Sequence, residues 1–180
     1  MSEGVEWALH SCVNLAWSGP ERAVSAARLA AWHDLPATYL NKQLQALARA
    51  GILTSTPGPR GGFRLARPLS AITLMDVVAA IEGTEEAFRC AEIRRRGPGA
   101  GPAAANPVES VDADSGTSGT SGNSADSADS ADCAIAHAMA RADLAWRRAL
   151  AEQDLDGIRR QAERQAPEAP ARLRAWLEAR

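Results

Sequence analysis

Glu6 and His10 stand four positions apart in the stretch G-V-E-W-A-L-H, with Trp7 between them. On an α-helix residues i and i+4 share a face, so a carboxylate and an imidazole with this spacing can converge on one partner, which is a metal, a proton or nothing at all. The other side chains able to ligate are three scattered cysteines, Cys12, Cys90 and Cys133, and two more histidines, His33 and His137. An odd number of dispersed cysteines does not make a secreted disulfide framework, and reduced thiols available to a metal are the better expectation. Cys12 falls on an apolar helical face and reads as a small buried hydrophobe. His33 reads as a helix-end residue. His137, four after Cys133 on the same helical face, competes as a ligand.

The chain of 180 residues is long enough for one well-buried domain or two small ones, and its 46% hydrophobic content is that of a globular protein. No apolar run reaches membrane-spanning length, and the N-terminus lacks the basic, apolar and small-residue order of a secretory signal, so a cytoplasmic protein is expected. The net charge of -2 hides an asymmetry. Residues 97 to 132 carry six acids and no base, which leaves the remainder of the chain at +4. From Leu35 to Met75 there are five basic residues, Lys42, Arg49, Arg60, Arg64 and Arg67, and no acid. A phosphate backbone attracts such a local excess.

The elements that must position these residues follow from periodicity. Val5, Ala8, Leu9, Cys12, Val13, Ala16 and Trp17 recur with a helical period until Ser18-Gly19-Pro20 ends it. Ser25 caps a short helix over Ala26 to Trp32, Asp34-Leu35-Pro36 makes a turn, and Ala37 to Ala50 follows with Leu40, Leu44 and Leu47 on one face before Gly51. Two short helices joined by a tight turn make a helix-turn-helix. The next stretch, I-L-T-S-T, P-G-P-R-G-G and F-R-L-A, reads as a two-stranded hairpin with a basic tip, which makes the fold a mainly α winged helix. Thr73 caps a further helix through Ile81.

A winged-helix domain is therefore predicted over residues 1 to 83, followed by a segment at 84 to 96. Residues 97 to 132, rich in Gly, Ala, Ser and Asp with a repeated S-A-D, lack the apolar side chains that offset ordering entropy and are expected to be disordered. A long helix resumes at Ala134, with Ile135, Ala138, Met139, Ala142, Trp146, Ala149 and Leu150 on one stripe, and residues 133 to 180 read as a dimerisation helix and tail.

In the second helix of the motif, Thr38, Tyr39, Asn41, Lys42 and Gln43 are expected to be exposed if the three leucines face inward. These positions enter a major groove, where Asn or Gln can read adenine and Lys can read guanine or a phosphate. Arg60, at the wing tip, is placed to enter the minor groove. Double-stranded DNA is the expected partner.

The run Y-L-N-K-Q-L-Q-A-L-A-R-A-G-I-L, the wing G-P-R-G-G-F-R-L-A-R-P and I-T-L-M-D-V-V-A-A-I-E-G together resemble the Rrf family of bacterial winged-helix regulators, to which IscR and NsrR belong. The resemblance covers residues 4 to 96 and 133 to 150. It implies a homodimer built on the long C-terminal helix and, in many members, an iron-sulfur cluster. The usual cluster loop carries three closely spaced cysteines, whereas here Cys90 is followed by A-E-I-R-R-R-G-P-G-A and the next is Cys133. Two cysteines do not complete a four-ligand site.

G-V-E-W-A-L-H, F-R-C-A-E-I-R-R-R-G-P and C-A-I-A-H-A-M are similar to the RsrR branch of that family. This implies a 2Fe-2S cluster held across the dimer interface by Cys90 and Cys133 of one subunit and Glu6 and His10 of the other, with Trp7 beside it as a candidate for redox-coupled repacking. The implied function is a repressor that binds a palindromic operator in one redox state. The alternative is a winged-helix regulator without a redox switch, whose Cys and His residues bind structural zinc or nothing. An enzyme is not expected, because no glycine-rich oxyanion loop accompanies the cysteines.

Overall fold

The computed structural model describes residues 1–58, 61–85 and 134–179. Met1–Glu85 and Trp146–Arg180 form one compact unit, and residues 134–145 belong to a second. The described elements are mainly helical with one two-stranded sheet.

Helix α1 (Glu3–Ser18) buries Val5, Ala8, Cys12 and Leu15 along one side. Helix α2 (Ala26–Trp32) begins at Ser25, whose hydroxyl accepts from the Arg28 backbone N–H at 3.3 Å. Helix α3 (Ala37–Arg49) buries Leu40, Leu44 and Leu47 completely. It ends at Gly51, whose φ of +70° is readily reached without a Cβ. These side chains share one core with Leu29, Ile52, Phe63, Ile72 and Val77.

Strands β1 (Leu53–Thr56) and β2 (Gly62–Leu65) pair antiparallel, with Leu53 opposite Leu65 and Thr56 opposite Gly62. They form the wing. Two hydrogen bonds dock β2 on the chain between α1 and α2: Val24 N–H to the Phe63 carbonyl at 3.0 Å and Phe63 N–H to the Val24 carbonyl at 2.9 Å. Gly62 permits this approach, since its φ is +155° and a Cβ there would stand less than 3.0 Å from the Val24 backbone. Arg60 lies outside the described residues.

Helix α4 (Leu74–Glu82) opens with a capping box in which the Thr73 hydroxyl accepts from Asp76 N–H at 3.1 Å and Asp76 Oδ2 accepts from Thr73 N–H at 2.9 Å. Helices α5 (Ala134–Ala151), α6 (Leu155–Gln165) and α7 (Ala169–Glu178) complete the described chain. The sequence grouped α6 and α7 with the dimerisation helix, but Leu155, Leu173 and Leu177 are buried in the winged-helix core itself. Donors from the helix-turn-helix side hold them there. Arg22 Nη2 donates to the Leu177 carbonyl at 2.7 Å, and Arg28 Nη2 donates to the Trp176 and Ala179 carbonyls at 2.8 Å each. These are carbonyls at the end of α7 with no partner inside the helix. The Arg28 guanidinium also lies 5.1 Å from the Trp176 ring, which meets Trp32 edge-on at 5.4 Å.

In the second unit, Ile135, Met139 and Leu144 are 66%, 42% and 48% exposed, so the first part of α5 shows an apolar face with no cover among the described residues. Among those residues no helix is long and apolar enough to cross a membrane.

Gly62→Ala is expected to lower unfolding stability by about 1–3 kcal/mol, because the new methyl meets backbone rather than a movable side chain. Thermal or urea unfolding followed by far-UV circular dichroism measures it. An unchanged midpoint would mean that the wing does not need this approach.

Candidate functional site

The inward face of α1 is apolar, and the face opposite carries Glu6 and His10, both exposed and one turn apart. Neither makes a hydrogen bond or ion pair with another described residue. Half-buried Trp7 stands beside them, its ring 6.0 Å from His10 and 5.2 Å from His33, with His10 and His33 5.9 Å apart. Asn14, only 3% exposed and two turns from Trp7, donates its Nδ2 to His33 Nε2 at 2.7 Å. Burial and the neighbouring His10 lower the pKa of His33. A neutral His33 accepting at Nε2 carries its proton on Nδ1.

The position of His33 connects this cluster to the DNA-reading motif. It is the C-cap residue of α2. It directly precedes Asp34, whose φ of +54° is rare for a residue with a side chain and turns the chain toward α3. The sequence reading of His33 as a helix-end residue holds, but its contact with Trp7, His10 and Asn14 had no local signal.

On α3, Thr38, Asn41 and Lys42 are exposed as expected, whereas Tyr39 is half-buried. Gln43 is a correction. It is buried, at 9% exposure, and its terminal amide lies where a Cβ on Gly4 would come within 3.0–3.1 Å. Positions 40, 43, 44 and 47 follow i, i+3, i+4 and i+7, so Gln43 belongs to the inward stripe of the leucines, and that spacing was readable beforehand. Its amide meets the first turn of α1 and is turned away from the exposed face.

Cys90 and Cys133 lie outside the described residues, and His137 is exposed on α5. Among the described residues no group of three or more His, Cys, Asp or Glu side chains is placed to hold a metal. A pair of outward, unpartnered donors on α1 fits half of a ligand set completed by other residues, and carboxylate with imidazole suits a first-row transition metal.

This arrangement, a helix-turn-helix followed by a two-stranded wing, defines a winged-helix protein. A family model described as Rrf2, iron-dependent transcriptional regulator, matches residues 1–161, and the chain belongs to that family. The protein rrf2 of Nitratidesulfovibrio vulgaris is 36% identical over 80 residues, which are 44% of this chain and 53% of that protein. The HTH-type transcriptional regulator IscR of Cereibacter sphaeroides is 34% identical over 74 residues, 41% and 48% of the two chains. The matched stretch thus spans about half the length of these relatives. The solved structure of T. potens IscR superposes with a TM-score of 0.59 at 17% identity, covering 92% of this chain and 90% of the other, which shows the shared fold.

Cys12 is fully buried in α1, and burial pushes its thiol pKa up to about 12. The thiol is therefore protonated at neutral pH and inert as a nucleophile. Iodoacetamide at pH 8 is expected to leave Cys12 unmodified in the folded protein and to label it only in denaturant, as read by peptide mass spectrometry. Labelling under native conditions would show that α1 does not stay packed.

Proposed function

We propose that this chain is a homodimeric DNA-binding repressor whose affinity for a palindromic operator is set by the redox state of a 2Fe-2S cluster between the subunits. Cys90 and Cys133 of one subunit and Glu6 and His10 of the other would hold it. The observation that carries this reading is the exposed, unpartnered Glu6 and His10 on the helix whose first turn packs against the recognition helix through Gly4 and Gln43. When bound, such a cluster supplies one-electron redox chemistry, and imidazole in place of thiolate raises its potential.

The rest is the work of the chain's own residues. The Glu6 carboxylate and a ring nitrogen of His10 are the donors, with no hydrogen-bonded partner among the described residues to displace. Trp7 packs beside both His10 and His33 at the edge of the ligand face. Movement of α1 reaches α3 by two routes. One is the contact of Gly4 with the Gln43 amide, and the other is the Asn14 to His33 bond at the entrance of the turn before α3. Because a dimer reads two half-sites at fixed spacing, a small rotation of each α3 changes operator affinity. The uncovered apolar face of α5 supports the homodimer.

On the reading face, Asn41 is assigned to a base edge and Lys42 to a base or phosphate, with Thr38 and Tyr39 flanking them and Arg60 at the wing tip. Lys42→Ala is expected to weaken binding to every duplex to a similar degree and to reduce the slope of log affinity against log salt by about 1. Asn41→Ala is expected to relax discrimination at one base pair by about 1–3 kcal/mol. Fluorescence anisotropy across a salt series separates the two, and unchanged binding by both variants would remove α3 from the interface.

For the cluster, protein purified without oxygen is expected to absorb visible light and to contain about two iron and two sulfide per site. Glu6→Ala with His10→Ala is expected to bleach or shift that spectrum. Colourless wild-type protein without iron would end the cluster reading and leave a winged-helix regulator with another signal. Equal operator affinity in oxidised and reduced protein would end the switch alone.

A further inference from the structure

We propose that the cleft enclosed by the end of α1, the wing strand β2 with the segment after it, and helices α6 and α7 is a binding site for a small organic monoanion, a carboxylate on a compact apolar body. The cleft measures about 750 Å³, within the range of ligand-binding clefts. Trp17, Pro68 and Pro170 give it apolar walls. All of its lining belongs to the compact unit that contains the winged helix.

Its charges select the ligand. Two lining acids are already neutralised by two guanidiniums, since Arg159 reaches Asp156 Oδ1 at 2.8 Å and Glu163 Oε1 at 2.6 Å while Arg160 reaches Asp156 Oδ2 at 2.6 Å. The same contacts hold Asp156 below the usual carboxylate range. Trp17 Nε1 donates to Glu163 at 2.9 Å, so the indole is fixed against that wall. Arg64 is half-buried, and its guanidinium has no hydrogen bond or ion pair with any described residue. Arg174 spends one donor on the Trp17 carbonyl at 3.2 Å and has no carboxylate partner among the described residues. Arg67 approaches Asp76 at 3.4 Å, yet its Nε is buried with no acceptor, the kind of orphan donor that folded proteins rarely leave. Against Arg64 and Arg174 stands only exposed Glu21, so one positive charge is left unmatched. Inorganic phosphate would leave the Trp17 and proline walls in water, and a neutral apolar molecule would leave Arg64 unmatched. A carboxylate on an apolar body answers both.

Arg64 lies in the wing, opposite Thr54 of β1, so an occupant of the cleft bears directly on the element that flanks the recognition helix. The cleft contains neither Glu6 nor His10, so the site stands or falls independently of the cluster.

Isothermal titration of the full chain with phenylacetate tests the proposal, with phenylacetamide and acetate as controls for charge and for apolar body. Phenylacetate is expected to saturate one site per chain and to bind at least about tenfold more tightly than either control. Arg64→Gln is expected to weaken it about tenfold. Ala66→Glu, which places an acid at an exposed lining position and does not disturb the core, is expected to do the same. No saturation by about 10 mM phenylacetate, a threshold set near the weak end of specific affinities, overturns the proposal. So does equal binding of the amide, or unchanged binding in both variants. If Arg64→Gln weakens duplex DNA binding and leaves phenylacetate untouched, Arg64 is a phosphate contact and the site is refuted.

Discussion

The packing of α3 on α1 is the constraint from which the rest of this structure follows. Leu40, Leu44 and Leu47 lose all contact with water in a core shared with Ala8, Cys12 and Leu15, and that burial fixes which face of α3 remains exposed. Thr38, Asn41 and Lys42 are outward because the leucines are inward. The same contact fixes α1, because a helix with Val5, Ala8 and Cys12 facing the core can only present Glu6 and His10 on the other side. The exposed face of α3 and the exposed face of α1 are thus two consequences of one interface.

Burying Gln43 in that interface has a cost and a use. A side-chain amide in a leucine stripe must find partners or lose free energy, and here it lies against the backbone of Gly4, where no other residue type leaves room. The close approach makes the first turn of α1 and the middle of α3 a single mechanical piece.

Much of the helical layout was legible because it is carried by local chemistry. Ser25 and Thr73 cap where capping residues should, Gly51 ends α3, and the leucine spacing oriented that helix. The wing strands showed in alternation broken by Pro and Gly. The family followed from three such motifs in order. What could not be read were the contacts set by tertiary packing. Nothing local to Asn14 and His33 says that they meet, since nineteen positions separate them. The docking of α7 on α2 through Arg28 and Trp176 spans 148 positions. Gln43 is a different case. The helical period placed it inside, but its polarity was allowed to outweigh its position, and position decided.

The C-terminal helices show why the motif needs more chain than its own elements. Helix α2 has only seven residues, too short to be stable alone, and its core contribution is Leu29 and Ala30. Leu173 and Leu177 of α7 close the core from the other side, while Arg22 and Arg28 convert the open carbonyls of α7 into hydrogen bonds with the α2 region. The short helix that must hold α3 at a fixed angle is therefore braced from outside the motif. The same helix α7, through Pro170 and Arg174, forms one wall of the cleft beside the wing. The first two turns of α1 bear Glu6 and His10 at one end, and its last turn, with Trp17, lines that cleft at the other. A single helix thus packs on α3, carries the proposed ligand pair and forms one wall of the cleft.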